Sequence, residues 1–234
     1  MRRLLAAITL SLCAWAVLAG PLEDDFAAVQ RGNYSAALRL FRPLADQGNA
    51  EAQYTLGRMY YNGDGVTQDD GEAAKWWRKA ADQGNARAQF GLGLMYDLGL
   101  GMPQDYVVAM TWYRKAADQG YISAQSSLGD MYYAGRGVQP DYAEALTWYR
   151  KAADKGYAHA QGALGLMYEG GDGVPQDYVE AHKWSNLAAA RAIDKETRER
   201  TTKQRDRLAG KMTPTQIEEA QKLAREWKPT LSKN

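Results

Sequence analysis

A 36-residue internal repeat dominates this sequence. The segment AQYTLGRMYYNGDGV, which starts at Ala52, returns at the same spacing from Ala88, Ala124 and Ala160. A unit of this length is too short to bury its own apolar face, whereas stacked copies share one continuous core. The repeat therefore predicts a solenoid in which each unit contacts only its neighbours.

Each unit carries the pattern of two helices. Ala52, Leu56 and Met59 fall on one helical face, and Ala73 and Trp77 begin the same pattern further along the unit. A Gly-x-Gly motif lies between the two helices, where a turn requires positive φ or close approach of two backbones. The sequence thus predicts an all-α fold of antiparallel helix pairs, helix A and helix B.

Polar residues and glycines mark the ends of helix B. An Asp followed three residues later by Glu predicts a capping box at its start, and a glycine predicts a left-handed C-cap at its end. Asp105 has Val108 in the Glu position, so we expect a weaker cap there. The predicted boxes are Asp69 with Glu72, Asp141 with Glu144, and Asp177 with Glu180, and the predicted C-caps are Gly84, Gly120 and Gly156.

The recurring pattern A-x-x-x-L-G-x-M-Y-x-x-G-x-G-V-x-x-D-x-x-x-A-x-x-W-Y-x-K-A-A-x-x-G resembles the Sel1-like repeat family, relatives of the tetratricopeptide repeats. The resemblance implies a right-handed superhelical solenoid that acts as an adaptor for protein partners, and it implies no reaction. Phe41 stands in the Trp place of a degenerate first unit. The expected divisions are a degenerate pair at 21–48, four repeats at 49–84, 85–120, 121–156 and 157–192, and a charged helix with a capping helix at 193–234.

The N-terminus predicts export. Arg2 and Arg3 precede an apolar run, and the small residues that end in Ala19 fit a signal-peptidase site, so we expect a signal peptide at 1–19 with cleavage after Ala19. The alternative is an uncleaved membrane anchor, although the run is shorter than the ~20 residues that span a bilayer. Cleavage would also remove Cys13 and leave one more acidic than basic residue. We therefore expect a periplasmic product without membrane insertion, and near-neutral charge that does not favour nucleic acid.

Catalytic and metal-binding signals are sparse. His159 and His182 are the two histidines, and neither has carboxylates or cysteines at ligand spacing. We expect both at variable surface or groove positions, with no cofactor, no metal and no enzymatic activity. Trp residues recur every 36 positions, which fits either core packing, the favoured interpretation, or a stacking ladder for sugar rings. They are Trp76, Trp112, Trp148 and Trp184.

The candidate binding residues are the helix A positions that vary between repeats. A helical projection turns positions 54, 58 and 61, and their equivalents in later repeats, away from the core of helix A and onto the expected concave side. Aromatic and Arg residues there have the character of binding hot spots. We name this set the helix A row, and its predicted partner-binding members are Tyr54, Arg58, Tyr61, Phe90, Leu94, Asp97, Ser126, Asp130 and Tyr133.

The C-terminal part departs from the repeat. Between Ile193 and Leu208 the chain is polar and rich in both signs of charge, which predicts a solvated helix. That helix is either an ordinary charged helix or a basic patch for an acidic partner or lipid headgroups. Thr213 and Gln216 then predict a capping box that opens a final docking helix.

The function favoured by the sequence is an exported interaction scaffold that binds a protein or peptide on the concave face of the solenoid. The alternatives are a protein that binds cell-envelope glycan or polysaccharide, and an envelope hydrolase. A glycan binder requires the Trp residues to be exposed, and a hydrolase requires clustered acid, base or nucleophile residues.

Overall fold

The computed structural model describes residues 34–230. Across that range the chain forms eleven helices and no strand, which confirms the predicted all-α class of helical-hairpin repeats. The expected signal peptide at 1–19 and residues 21–33 of the expected degenerate pair lie outside the described residues. The helices are α1 (Tyr34–Asp46), α2 (Ala50–Asn62), α3 (Asp70–Asp82), α4 (Ala86–Leu98), α5 (Tyr106–Asp118), α6 (Ile122–Ala134), α7 (Tyr142–Ala153), α8 (Ala158–Gly170), α9 (Tyr178–Arg191), α10 (Lys195–Ala209) and α11 (Pro214–Glu226).

The chain divides into two compact units. The described part of unit one runs from Tyr34 to Ala88 and adds Leu100–Met102, whereas unit two comprises Gln89–Gly99 and the chain from Pro103 onward. The even-numbered helices α2 to α8 are the A helices of the repeats, and the odd-numbered helices α3 to α9 are the B helices. Between residues 34 and 230, no helix has the length and apolar character needed to cross a bilayer.

The Gly-x-Gly turns require glycine for two reasons. Gly135 ends α6 with φ 67°, and Gly137 follows with φ 75°, both in the left-handed region that side chains disfavour. A Cβ on Gly137 would also lie 2.7 Å from the backbone carbonyl carbon of Tyr106. The second glycine therefore lets the turn contact the start of the preceding helix B.

Of the two hydrogen bonds that define a capping box, the predicted boxes at helix B form only the one to the Asp side chain. The Asp141 carboxylate accepts from the Glu144 amide at 2.9 Å, but the Asp141 amide donates to the Tyr132 carbonyl rather than to Glu144. Glu144 is thereby free to accept the indole N–H of Trp148 at 3.1 Å. The expectation of a weak cap at Asp105 is wrong, because its carboxylate accepts from two backbone amides. The C-cap glycines 84, 120 and 156 do have positive φ, and Thr213 with Gln216 forms the predicted reciprocal box.

The recurring Trp residues belong to the core. Trp148 is 3% exposed and packs in one cluster with Ala109 and Ala116 of the preceding helix B and Leu128 of α6. The Nζ of Lys151 lies 3.8 Å from its ring centroid. Packing is therefore the correct interpretation, and a ladder open to sugar rings is excluded. Trp76, Trp112 and Trp184 are also buried, each with a Lys Nζ over the ring.

In the first described helix, α1, Phe41 does not occupy the repeat position that the sequence analysis assigned to it. Phe41 is fully buried, whereas Leu40 is 43% exposed. Phe41 lies one repeat before Trp77, so it occupies the position of the second aromatic residue of helix B rather than that of Trp76. The α1 helix therefore packs as a helix B, with its register one residue away from the predicted one.

The two C-terminal helices both pack against the repeats. The expectation that α10 is a fully solvated helix is wrong, because Thr201, Gln204 and Leu208 are buried. The contact is possible because Gly162 leaves room on α8: a Cβ there would lie 3.0 Å from Thr201 Cγ2. The final helix α11 buries Ala220 and Ala224, and Trp227 at its end meets Trp184 edge to face.

Candidate functional site

Glycines at equivalent positions of the A helices allow aromatic side chains of helix B to pack beside the helix A row. A Cβ on Gly57 would lie 2.4 Å from Trp77 Cδ1, and one on Gly129 would lie 2.5 Å from Tyr149 Cδ1. The second aromatic side chain of helix B therefore crosses onto helix A at each glycine, and it lies beside the row. We call these helix B residues the support column; its members are Trp77, Tyr113 and Tyr149.

In unit one the row residues rest on this support. Tyr54 stacks on Trp77 with centroids 6.5 Å apart, and Tyr61 contacts the same indole at 5.3 Å. Arg58 is half-buried, and its Nε has no hydrogen-bond partner among the described residues. The projection correctly turned these residues away from the innermost core. A projection of one helix could not include the aromatic ring supplied by helix B, which leaves these residues half-buried.

In the second repeat, the helix A row residues that lie in unit two mainly contact other residues of the chain. Phe90 packs against Tyr113 at 5.6 Å and against Tyr121 at 5.1 Å. Asp97 is 7% exposed and accepts from the Tyr113 hydroxyl at 3.3 Å and from Arg136 at 2.8 Å. Leu94 is half-buried. The carboxylate predicted to meet a partner is therefore already held by two donors of its own chain.

The third repeat brings its row residues to a histidine of the fourth. The buried Ser126 Oγ lies 3.0 Å from His159 Nδ1, and Asp130 Oδ1 lies 3.9 Å from His159 Nε2. Asp130 also accepts from the Tyr149 hydroxyl at 2.7 Å. Tyr133 is 37% exposed and donates its hydroxyl proton to Asp172 at 2.8 Å.

These residues surround a pocket of about 160 Å³ in unit two. One wall comes from α6 and its support residue, and a second comes from α8. The third is formed by Arg200 and Gln204 of α10. A cavity of this order holds a group about the size of benzene. The lining residues are Asp130, Tyr133, Tyr149, His159, Gly162, Ala163, Leu166, Arg200 and Gln204.

Burial changes the acid–base properties of this pocket. Desolvation raises the pKa of Asp130, although the neighbouring His159 and the Tyr149 hydroxyl act in the opposite direction. Desolvation and the Asp130 charge also raise the pKa of Tyr149, so its hydroxyl remains a donor. Desolvation, together with the Asp172 hydrogen bond, raises the pKa of Tyr133 to about 12. The tyrosines are thus neutral hydrogen-bonding groups at physiological pH.

The Ser126, His159 and Asp130 contacts do not make a hydrolytic site. Ser126 is 2% exposed and does not line the pocket, so its hydroxyl is not presented to a substrate. The Asp130–His159 distance of 3.9 Å exceeds hydrogen-bond range. Within residues 34–230 no three His, Cys, Asp or Glu side chains are placed to hold a metal ion. The arrangement can instead bind a ligand through hydrogen bonds and apolar contact.

The two histidines differ in their surroundings: His159 gains partners that the sequence analysis missed, whereas the buried Nδ1 of His182 has no hydrogen-bond partner among the described residues. His159 does occupy a groove position, as predicted, and it meets a carboxylate there. The sequence did contain a signal for this contact. Gly162 is the repeat equivalent of Ser126, and His159 lies one helical turn before Gly162, so His159 is on the same face of its helix A as the helix A row. The prediction for His182 is wrong: it is 2% exposed, and its burial lowers its pKa. Arg200 and Gln204 gave no repeat signal, since α10 lies beyond the repeats.

Comparisons with known proteins place the chain in one family. The Sel1 repeat family model matches residues 24–49, 50–85, 86–121, 122–157 and 158–192. The crystal structure of c5321, described as a protective antigen of uropathogenic Escherichia coli with an SLR fold, is 37% identical with a TM-score of 0.75. That match covers 82% of this chain and 40% of the other.

Two further relatives differ in coverage. A Sel1 repeat protein from Oxalobacter formigenes is 32% identical with a TM-score of 0.67, over 82% of this chain and 86% of the other. An "Exopolysaccharide production negative regulator" from Rhizobium leguminosarum bv. viciae is 42% identical over 50 residues, which is 21% of this chain and 19% of that protein. The chain therefore spans less than half the length of c5321 and about a fifth of the regulator. The repeat geometry, the family match and the Oxalobacter relative together show that this chain belongs to the Sel1 repeat family.

Proposed function

We propose that this protein is an exported, periplasmic scaffold that binds a protein or peptide along the helix A row. Sel1 repeat proteins are generally protein-interaction scaffolds and are typically non-catalytic. The observation that carries the proposal is the pocket in unit two. It is preformed, and it is lined by helix A positions of two successive repeats.

The exposed apolar residues beside the pocket support binding of a polypeptide. Leu166 on α8 is 47% exposed and lines the pocket, and Tyr133 on α6 is 37% exposed. Tyr and Arg are the residue types enriched at interface hot spots, and the pocket combines Tyr133, Tyr149 and Arg200 with the apolar surface of Leu166. Support for export comes from the leader-like sequence at 1–19, and the glycan alternative loses its basis because the Trp residues are buried.

The test is affinity capture from the cell envelope of the source organism, with mass spectrometry of the bound proteins. Leu166→Ser should weaken capture of a specific partner at least tenfold, while Val107→Ser leaves capture unchanged. Val107 is a matched control, because it is an exposed apolar residue on helix B and does not line the pocket. Equal effects of the two variants, or capture of no specific protein, would overturn the proposal.

A further inference from the structure

Gln204, which lines the pocket in unit two, has a buried hydrogen-bond donor without a partner in the described part of the chain. Gln204 is 7% exposed, and its side-chain Nε2 has no hydrogen-bond partner within residues 34–230. A buried amide N–H without a partner is unfavourable, because it has given up its hydrogen bonds to water and gained none in return. Nε2 is itself fully covered, but Gln204 lines the pocket, so a rotation of its side-chain amide would bring this donor to an acceptor atom of a ligand in that space.

A cation stands beside this donor. Arg200 lies one turn earlier on α10, lines the same pocket, and forms no hydrogen bond or ion pair within 4 Å among the described residues. Its side chain is exposed, and its charge also helps to lower the pKa of Asp194. By contrast, Arg207 on the same helix is already paired with Glu169. A guanidinium next to an amide donor favours a carboxylate over a neutral acceptor, since charge-assisted hydrogen bonds are the stronger class.

The remaining walls limit what accompanies that carboxylate. Leu166, Ala163 and Gly162 form an apolar wall, and about 160 Å³ suits one side chain of leucine size. The acidic group on the opposite wall, Asp130, already accepts from Tyr149 and faces His159. The free donors therefore lie on the α10 side, where an incoming anion meets positive charge.

We propose that this pocket binds a carboxylate of the partner peptide, with an adjacent apolar residue against Leu166. The inference rests on the proposed scaffold function and adds the chemical class that one subsite recognises. It also assigns α10 a role: the charged helix supplies the anion-binding wall of a site whose other walls are repeats.

The experiment titrates ¹⁵N-labelled protein with N-acetyl-leucine and with N-acetyl-leucinamide, which differ only in the carboxylate. N-acetyl-glutamyl-leucinamide is the third probe and distinguishes a side-chain carboxylate from a terminal one. We expect at least one carboxylate probe to shift the Gln204 side-chain amide resonances and to bind at least tenfold tighter than N-acetyl-leucinamide.

The variants separate this pocket from general attraction to a basic helix. Arg200→Gln should remove the preference for carboxylate, and Gln204→Leu should weaken the carboxylate probe at least fivefold. Lys195→Gln, an exposed lysine at the start of the same helix that does not line the pocket, should leave both values unchanged. The inference is wrong if acid and amide bind equally, or if Lys195→Gln acts like Arg200→Gln. Partner capture that survives such a result would leave the scaffold function standing without this subsite.

Discussion

The substitution Gly129→Ala tests the central packing contact of the candidate site. Alanine is favoured over glycine in a helix interior by about 1 kcal/mol, so propensity alone predicts a more stable protein. A Cβ at position 129 would, however, lie 2.5 Å from Tyr149 Cδ1 and 2.6 Å from Cε1. The ring is buried and its hydroxyl is held by Asp130, so it cannot move away freely.

The magnitude follows from the balance of these two effects. Overpacking in a well-packed core costs about 1–3 kcal/mol, because side chains leave their rotamers or the backbone shifts. We therefore expect Gly129→Ala to lower the free energy of unfolding by a net amount of about 1–2 kcal/mol, despite the gain in propensity. The expected sign is opposite to the one that secondary structure alone predicts.

Urea denaturation followed by circular dichroism measures this difference. The control is Gly71→Ala in α3, where the nearest atom to the added Cβ is Asp69 Oδ1 at 3.2 Å; it should be neutral or slightly stabilising. In a double-mutant cycle with Tyr149→Ala, the cost of Gly129→Ala should disappear, with a coupling of about 1–3 kcal/mol. A Gly129→Ala protein about 1 kcal/mol more stable than the parent would refute the assignment of Tyr149 as the support residue.

Three further predictions concern the core, the pH dependence and export. Trp112→Ala should cost about 3–5 kcal/mol in urea denaturation, as truncations of large buried residues do, and a cost below 0.5 kcal/mol would contradict its burial. Burial lowers the pKa of His182, so its neutral form stabilises the fold above the ordinary histidine pKa of about 6.5, and that contribution is lost as pH falls towards the lower folded pKa. Unfolding between pH 7.5 and 5 should show this loss, His182→Gln should reduce it, and an unchanged profile in the variant would exclude the assignment. N-terminal sequencing of the exported protein should begin at Gly20, and recovery of intact Met1 in the membrane fraction would contradict cleavage after Ala19.

The repeat pattern alone determined most of the local structure. The hairpins, the positive-φ glycines and the Asp N-caps follow from interactions within one unit or between adjoining ones, and these recur wherever the 36-residue period recurs. Burial of the Trp residues was predictable for the same reason, since helical spacing next to Ala places them on a packed face. What the pattern could not give was the share of helix A that helix B covers. Gly57 allows Trp77 to reach across, so Tyr54 is half-buried rather than open.

Only the tertiary structure assembled the candidate site. Ser126 and His159 are 33 residues apart and meet because two repeats stack, while Gln204 comes from a helix outside the repeat. A hydrophobic periodicity reports which face of one helix is buried, but not which polar groups of different helices share a cavity. The orphan amide of Gln204 illustrates the difference. In the sequence it is one polar residue of a charged helix, and only the packing of α10 against α8 makes it a buried donor without a hydrogen-bond partner among the described residues.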